Sequence, residues 1–330
     1  MKMRLKHILT LAFGLAGCLH AADDAVFKSA DGAKSFTGRP VEVVSLGKGI
    51  VRIARTGGGT VDSPVTAFSE ADRAKLKLWM ERESADPQVV VNRRLAAAAH
   101  PAVLFIGNSY SFQVPGVFSQ IAKAEGKNVV VEQVTFGGWT LQRHAANPDT
   151  LAAIRKRKWD VIVLQEQSQV PAFLPEQRDS QMLPPLKSLV SAITESGALP
   201  ALYQTWGRRD GDRENAAAFS DDTFGKMHQR LESAFALARK QNPNLTAVPV
   251  GAAWAERMKS DAGKALFNPQ DGSHPSAQGN HLAAAVFFSA LFNAKVTHKP
   301  ANIPDAAALN ELAFLTALHR PLAYPVAEGG

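Results

Sequence analysis

The sequence predicts an α/β protein: a parallel sheet covered by helices on both faces, three layers in all, preceded by a small all-β domain. Two observations carry this. From residue 101 onward, short apolar runs alternate with longer stretches of helical periodicity, the pattern of strands buried on both faces and joined by helical crossovers. Before residue 85 the runs are shorter, alternate with polar residues and are split by Gly and Asp, the pattern of antiparallel strands joined by tight turns. The 330 residues suffice for one large domain and one small one.

Residues 1–22 read as a signal peptide. Lys2, Arg4 and Lys6 precede the apolar stretch 8–15, and small residues follow. That stretch is too short to span a bilayer as a helix. Leu15-Ala16-Gly17-Cys18 resembles a bacterial lipobox, which would make Cys18 the lipidated first residue. An ordinary cut near Ala21 or Ala22 would place Leu19 or His20 where a small residue is preferred, so lipid anchoring in the cell envelope is favoured over simple secretion. Cys18 is the only cysteine, so the mature chain can form no internal disulfide and must rely on core burial.

Residues 23–84 form the expected β-domain, with strands near 26–29, 41–46, 50–54 and 60–65. Ser69, followed three residues later by Asp72, opens a helix. This pattern resembles the small SH3-like barrels that precede hydrolase domains in some envelope proteins, where a spacer role is expected. Residues 85–100 read as a linker. In the domain 101–330, strands are expected at 102–106, 129–135, 161–164, 200–204 and 245–250. Helices are expected at 114–125, 150–158, 180–196 and 219–241. Ligands of such sheets bind beyond the carboxyl ends of the strands.

The formal charge is +7, and the first 17 residues contribute three of those charges and no acid, leaving +4. The one basic cluster, 155–158, suits a solvated helix end. No aromatic-basic platform accompanies it, so nucleic acid is not an expected partner. The expected partner is a small-molecule or glycan ester. The membrane enters only through the lipid anchor, and oligomeric state is left open.

Two stretches carry the chemistry. Gly107-Asn108-Ser109 follows the first parallel strand, and Asp271-Gly272-Ser273-His274-Pro275 lies near the C-terminus. A serine after a buried strand is exposed at the sheet's edge, where its own N–H can face an oxyanion. A histidine can take the serine proton while a carboxylate orients the ring. Each stretch also has a plain alternative, a turn serine and an N-cap aspartate. Pro275 suits a first helical position, and His281 inside the following helix reads as structural.

Together the stretches resemble the SGNH, or GDSL-type, hydrolase superfamily over roughly residues 100–295. That resemblance implies a flavodoxin-like sheet order, the SGNH hydrolase fold, and a triad of Ser109, His274 and Asp271. It implies oxyanion N–H groups at Ser109 and at Gly138 in Phe136-Gly137-Gly138-Trp139, with Gly137 the neighbouring choice. The third block departs from the family's Gly-x-Asn-Asp and reads Gln165-Glu166-Gln167-Ser168. A glutamine amide donates the same N–H as asparagine. Gln167 is preferred as donor and Gln165 comes next, while Glu166 is expected to face solvent without a role. Trp206, Trp139 and His144 are the candidate substrate contacts, with the loops 171–179 and 208–220 setting specificity.

The resulting expectation is an exported serine esterase working through an acyl-enzyme, with a carbohydrate O-acetylesterase as the first reading. Lipase or thioesterase activity on the same triad and a non-catalytic glycan- or surface-binding protein are the alternatives. No metal motif, phosphate loop or dinucleotide fingerprint is present, so no cofactor is expected.

Overall fold

The structure is a computed structural model that describes residues 24–45 and 49–318. Cys18 and the rest of the expected signal peptide lie outside the described residues. The chain divides into two compact units, with the boundary between Asp86 and Pro87.

The first unit holds β1 (Ala25–Lys28), β2 (Ser35–Ser45), β3 (Ile50–Arg55), β4 (Thr60–Pro64) and α1 (Glu70–Ala85). The strands pair antiparallel in chain order. β2 begins at Ser35, well before the expected Val41, because it pairs with β1 through its first residues and with β3 through the rest. Its register shifts beside Pro40, which lacks the N–H that a regular ladder needs. Gly38 sits at the crossing, where a Cβ would lie 2.3 Å from the Ala54 carbonyl oxygen.

Alternation along β3 turns Val51 and Ile53 into a core with Phe27, Phe68, Leu76 and Trp79. The Arg52 guanidinium faces outward and grips Asp62 across the sheet at 2.6 and 2.8 Å. Beyond β4 the chain returns to β1. Ala30 N–H donates to Ala67 O, and Ser69 N–H donates to Lys28 O. Ser69 then caps α1 through the Asp72 N–H, and Asp72 accepts the Lys28 N–H at 2.9 Å.

The second unit opens with α2 (Pro87–Ala97), inside the stretch expected to be a linker. Proline at the first helical position and an alanine-rich end resemble a loop in sequence, but Val91 and Leu95, one turn apart, are buried in the core of this unit. Gln88 and Asn92 donate to the Ala290 carbonyl oxygen, each at 2.6 Å.

The elements that follow are β5 (Ala102–Gly107), α3 (Val114–Ala124), β6 (Val130–Thr135), α4 (Leu141–Ala145), α5 (Pro148–Arg155), β7 (Val161–Leu164) and α6 (Pro175–Glu195). Then come β8 (Leu199–Tyr203), α7 (Phe224–Gln241), β9 (Thr246–Val248), α8 (Val250–Arg257), α9 (Ala277–Phe292) and α10 (Ala306–Leu318). All five strands of this sheet run parallel, in the order β6-β5-β7-β8-β9.

This is a three-layer α/β/α unit, as the apolar pattern predicts, and its strand order is the flavodoxin-like one that the resemblance implies. Side-chain alternation sorts its two cores. Val103, Phe105, Val163 and Tyr203 pack toward α2, α3, α8 and α9. Leu104, Ile106, Ile162 and Leu202 pack toward α6 and α7. The strand order reverses at β5, which has the next two strands of the chain, β6 and β7, on its opposite sides, so a crevice opens at its carboxyl end.

α9 is buried almost all round, as a helix inside a core must be apolar on every face. His281 within it bonds Asn310 Oδ1 at 2.8 Å, a structural contact, and burial pushes its pKa down. Among the described residues no helix is long and apolar enough to cross a membrane.

Candidate active site

The site forms where β5 ends. Gly107 lets the end of β7 approach: a Cβ there would lie 2.6 Å from Gln165 Oε1 and 3.0 Å from Ser111 Oγ. Asn108 then fixes the turn. Its N–H donates to Gln165 Oε1 at 2.9 Å, and its Oδ1 accepts Gln165 Nε2 at 3.0 Å and the Tyr110 N–H at 3.1 Å. Ser109 begins a single 3-10 turn, Ser109–Ser111, ahead of α3.

Ser109 Oγ lies 2.8 Å from His274 Nε2, and His274 Nδ1 lies 2.9 Å from Asp271 Oδ2. The loop beyond β9 and α8 brings the latter pair to the serine. Asp271 Oδ1 accepts the N–H groups of Ser273 and His274 at 2.7 and 2.9 Å, folding the aspartate back over its own loop. Gly272 has φ +62° and packs against the Arg209 guanidinium, while its carbonyl accepts the Arg209 N–H at 2.7 Å.

Burial raises the Asp271 pKa, but the two backbone N–H groups and the imidazole outweigh it and hold the carboxyl below its ordinary value. An ionised Asp271 favours the tautomer with hydrogen on Nδ1, which leaves Nε2 free to accept the serine proton. Pro275 is not the first helical residue. Ser276 is the N-cap of α9, through the Gly279 N–H at 3.2 Å, and the proline pairs with Phe267 in an isolated bridge before it.

The turn Phe136–Trp139 is docked beside Ser109 at both ends. Phe136 N–H donates to Gly107 O at 3.2 Å, and Asn108 Nδ2 donates to Trp139 O at 2.9 Å. Trp139 N–H closes the turn on Phe136 O, and Gly138 takes φ +70° at its third position, which favours glycine. Among the described residues, hydrogen bonds consume neither the Ser109 N–H nor the Gly138 N–H.

The third block behaves differently at each residue. Gln165 is fully buried, and its amide donates to Asn108 Oδ1 and to Glu166 O. With both directions taken it is a brace for the serine turn and is not an available oxyanion donor, which corrects the expectation for it. Gln167 is half-buried. Its Oε1 accepts the Gln169 and Val170 N–H groups at 2.7 and 3.3 Å, which turns the amide nitrogen the other way. One of its two N–H groups donates to Gln169 Oε1 at 3.3 Å, and Gln169 is held in turn by Asp212 at 2.8 Å. The second N–H has no hydrogen-bond partner among the described residues. Glu166 does not face solvent as expected: it is fully buried.

Two of the three candidate substrate contacts are internal. Trp206 is fully buried. It stacks between Tyr110 at 4.9 Å and Trp254 at 3.7 Å, and donates from Nε1 to Ser273 O at 3.1 Å. Tyr110 sets its ring edge-on to His274 at 5.2 Å and joins its hydroxyl to Ser273 Oγ at 2.6 Å. This column shapes the histidine loop from beneath and cannot touch substrate. His144 is also fully buried, bonded to Gly107 O at 2.9 Å and Thr150 Oγ1 at 3.1 Å. Burial pushes its pKa down, so it stays neutral.

Trp139 is partly exposed, packed 4.2 Å from Phe136 with the Arg143 guanidinium 5.1 Å over its ring. Phe136 and Phe112 are 40% and 44% exposed, high for phenylalanines, and both lie within hydrogen-bonded turns of the site. Sequence reasoning missed them, although Phe112 stands only three residues from Ser109. Among the described residues no group of three or more His, Cys, Asp or Glu could hold a metal ion.

No family model matches the chain, and no curated protein matches it. Solved structures do. A DUF4886 family protein from Bacteroides uniformis superposes with a TM-score of 0.59 at 23% identity, over 67% of this chain and 95% of that one. A candidate SGNH hydrolase from Slackia heliotrinireducens is 28% identical over 58% of this chain and 99% of its own, with a TM-score of 0.48. A mutant of Axe2, an acetyl-xylooligosaccharide esterase from Geobacillus stearmophilus, gives a TM-score of 0.45 at 17% identity over 61% of this chain and 97% of that one. The first of these likenesses shows the fold, an α/β/α unit built on a parallel five-stranded sheet.

Proposed function

We propose that this chain is an exported serine esterase that acts on O-acetylated carbohydrates. The observation that carries the chemistry is the unbroken line Ser109 Oγ–His274 Nε2–Nδ1–Asp271 Oδ2, with steps of 2.8 and 2.9 Å. In this reading His274 takes the Ser109 proton as Oγ attacks the ester carbonyl. The N–H groups of Ser109 and Gly138 and the free amide hydrogen of Gln167 hold the oxyanion. His274 then protonates the leaving alcohol, and the acyl group stays on Ser109. Water, deprotonated by the same imidazole, releases the acid.

The carbohydrate assignment is supported by Phe112 and Phe136, both exposed in the turns that carry Ser109 and Gly138. Flat aromatic surface of this kind suits the apolar faces of a sugar ring. Export is supported by the basic, apolar and small-residue succession before residue 22, with Cys18 as the proposed lipid anchor. We read the first unit as an SH3-like spacer, because the chain beyond β4 folds back to hydrogen-bond β1.

The test is hydrolysis of p-nitrophenyl acetate by the whole chain and by Ser109→Ala, followed by acetate release from a panel of acetylated glycans. Equal rates for wild type and variant would end the triad assignment. Faster turnover of long-chain p-nitrophenyl esters than of acetate would move the substrate class to lipids. For the anchor, N-terminal mass spectrometry should find an acylated Cys18; a free terminus at Ala21 or Ala22 would exclude it.

A further inference from the structure

Glu166 lies two residues beyond β7, between the two glutamines, with its side chain fully buried. Its Oε1 accepts the Leu141 N–H at 3.0 Å and the Gln167 N–H at 2.7 Å. Leu141 opens α4 immediately after the turn that carries Gly138. Gln167 carries the side-chain amide. One carboxylate oxygen therefore joins the two loops that present the oxyanion donors other than Ser109.

We propose that Glu166 is a positioning residue of the esterase site, setting the spacing between the Gly138 N–H and the Gln167 amide. The inference rests on the esterase reading above and deepens it. Oxyanion donors act only when preorganised at about 2.7–3.1 Å from the developing charge. A shared acceptor is a direct way to fix two loops at that tolerance, and an ionised one bonds backbone N–H groups more strongly than a neutral one.

The arrangement is costly for the fold. Among the described residues Glu166 Oε2 is buried without a hydrogen-bond partner. Burial pushes the carboxyl up to about 7, and only the two backbone N–H groups of Gln167 and Leu141 oppose that rise. No neighbouring charge shifts it, and His144 on α4 turns its ring to Gly107 O and Thr150 instead. An apolar residue of similar size would avoid both the bare oxygen and the buried charge. What it would lose is the double acceptor between the loops.

The test compares wild type, Glu166→Ala, Glu166→Gln and Ser109→Ala as whole chains. The readouts are kcat and KM on p-nitrophenyl acetate, affinity for a boronic acid that adds to the serine as a tetrahedral anion, and a thermal melt. Glu166→Ala should lower kcat about tenfold or more with KM within about twofold, and weaken the boronate by a similar factor. Glu166→Gln keeps an acceptor oxygen but no charge, and should lose about threefold in kcat and in boronate affinity at unchanged KM. If Glu166→Ala does not fold, Glu166→Gln decides alone. Wild-type kcat and boronate affinity in a folded variant, or a loss confined to KM, would overturn the assignment. When Ser109→Ala is dead and the Glu166 variants match wild type, only this inference fails. When wild type itself hydrolyses nothing, the esterase reading fails and this one with it.

Discussion

The buried Glu166 carboxyl makes a stability prediction that is independent of any substrate. Its pKa rises from an ordinary 4.5 to about 7 because burial disfavours the anion. The folded state therefore binds a proton more tightly than the unfolded state. Stability from this group is fully present below about pH 4.5 and is lost as pH rises through about 7. At 1.36 kcal/mol per pH unit the loss amounts to about 3 kcal/mol. Glu166→Gln removes this titration. It also leaves an amide where Oε2 had no partner, but that cost does not change with pH. The stability of Glu166→Gln minus that of wild type should therefore grow by about 3 kcal/mol between pH 4.5 and 8, or about 6–12 °C in Tm for a unit of this size. The assay is urea unfolding of both proteins across that range, followed by tryptophan fluorescence. Trp139, Trp159, Trp206 and Trp254, four of the five tryptophans, lie in the second unit, so the signal reports mainly on it. A constant difference at every pH would show that the carboxyl does not titrate in this window, and would refute the reasoning.

Other substitutions separate chemistry from scaffold. Asp271→Asn should lower kcat on p-nitrophenyl acetate by about 10⁴ through the wrong imidazole tautomer, while far-UV circular dichroism stays native; a change under tenfold would remove Asp271 from the triad. Gln167→Ala should cost about 10²–10³ in kcat and little in Tm. Gln165→Ala should behave as a structural lesion, with a lower midpoint in urea, because it strands the Asn108 N–H and the Ser111 hydroxyl; reversal of that contrast would exchange their assignments. Trp206→Ala should destabilise by about 3–5 kcal/mol in urea unfolding. A change in KM without that loss would return Trp206 to the substrate surface.

Much of the fold was legible because burial imposes a period on the sequence. The five parallel strands are apolar runs placed within a few residues of where they form, and alternation between Leu104 and Phe105 assigns each to its own face. The misreadings fall where partners decide. α2 was illegible because Val91 and Leu95 are too few to signal a helix; its docking depends on Gln88 and Asn92 reaching the end of α9. β2 hid behind Pro40, whose irregular pairing is visible only once β1 and β3 flank the strand. Trp206 and His144 looked like surface chemistry because aromatic and imidazole side chains serve equally as scaffold once each polar atom finds a partner.

The third block shows most clearly what spacing alone misses. Gln165 and Gln167 share a face only if the strand continues, and β7 ends at Leu164. Beyond that point side-chain direction is set by hydrogen bonds. Gln165 turns inward because Gly107 leaves room beside it and Asn108 offers a matching donor and acceptor. Glu166 turns inward because two backbone N–H groups converge on one oxygen. Gln167 is left half-exposed with an amide hydrogen in hand. The block therefore does more than place one amide. A longer side chain at 165 requires glycine at 107, and together they brace the serine turn. With Glu166 tying the neighbouring loop, the three residues form one unit, and exchanging Gln167 for Asn without rebuilding the other two should not restore full activity to a weakened site.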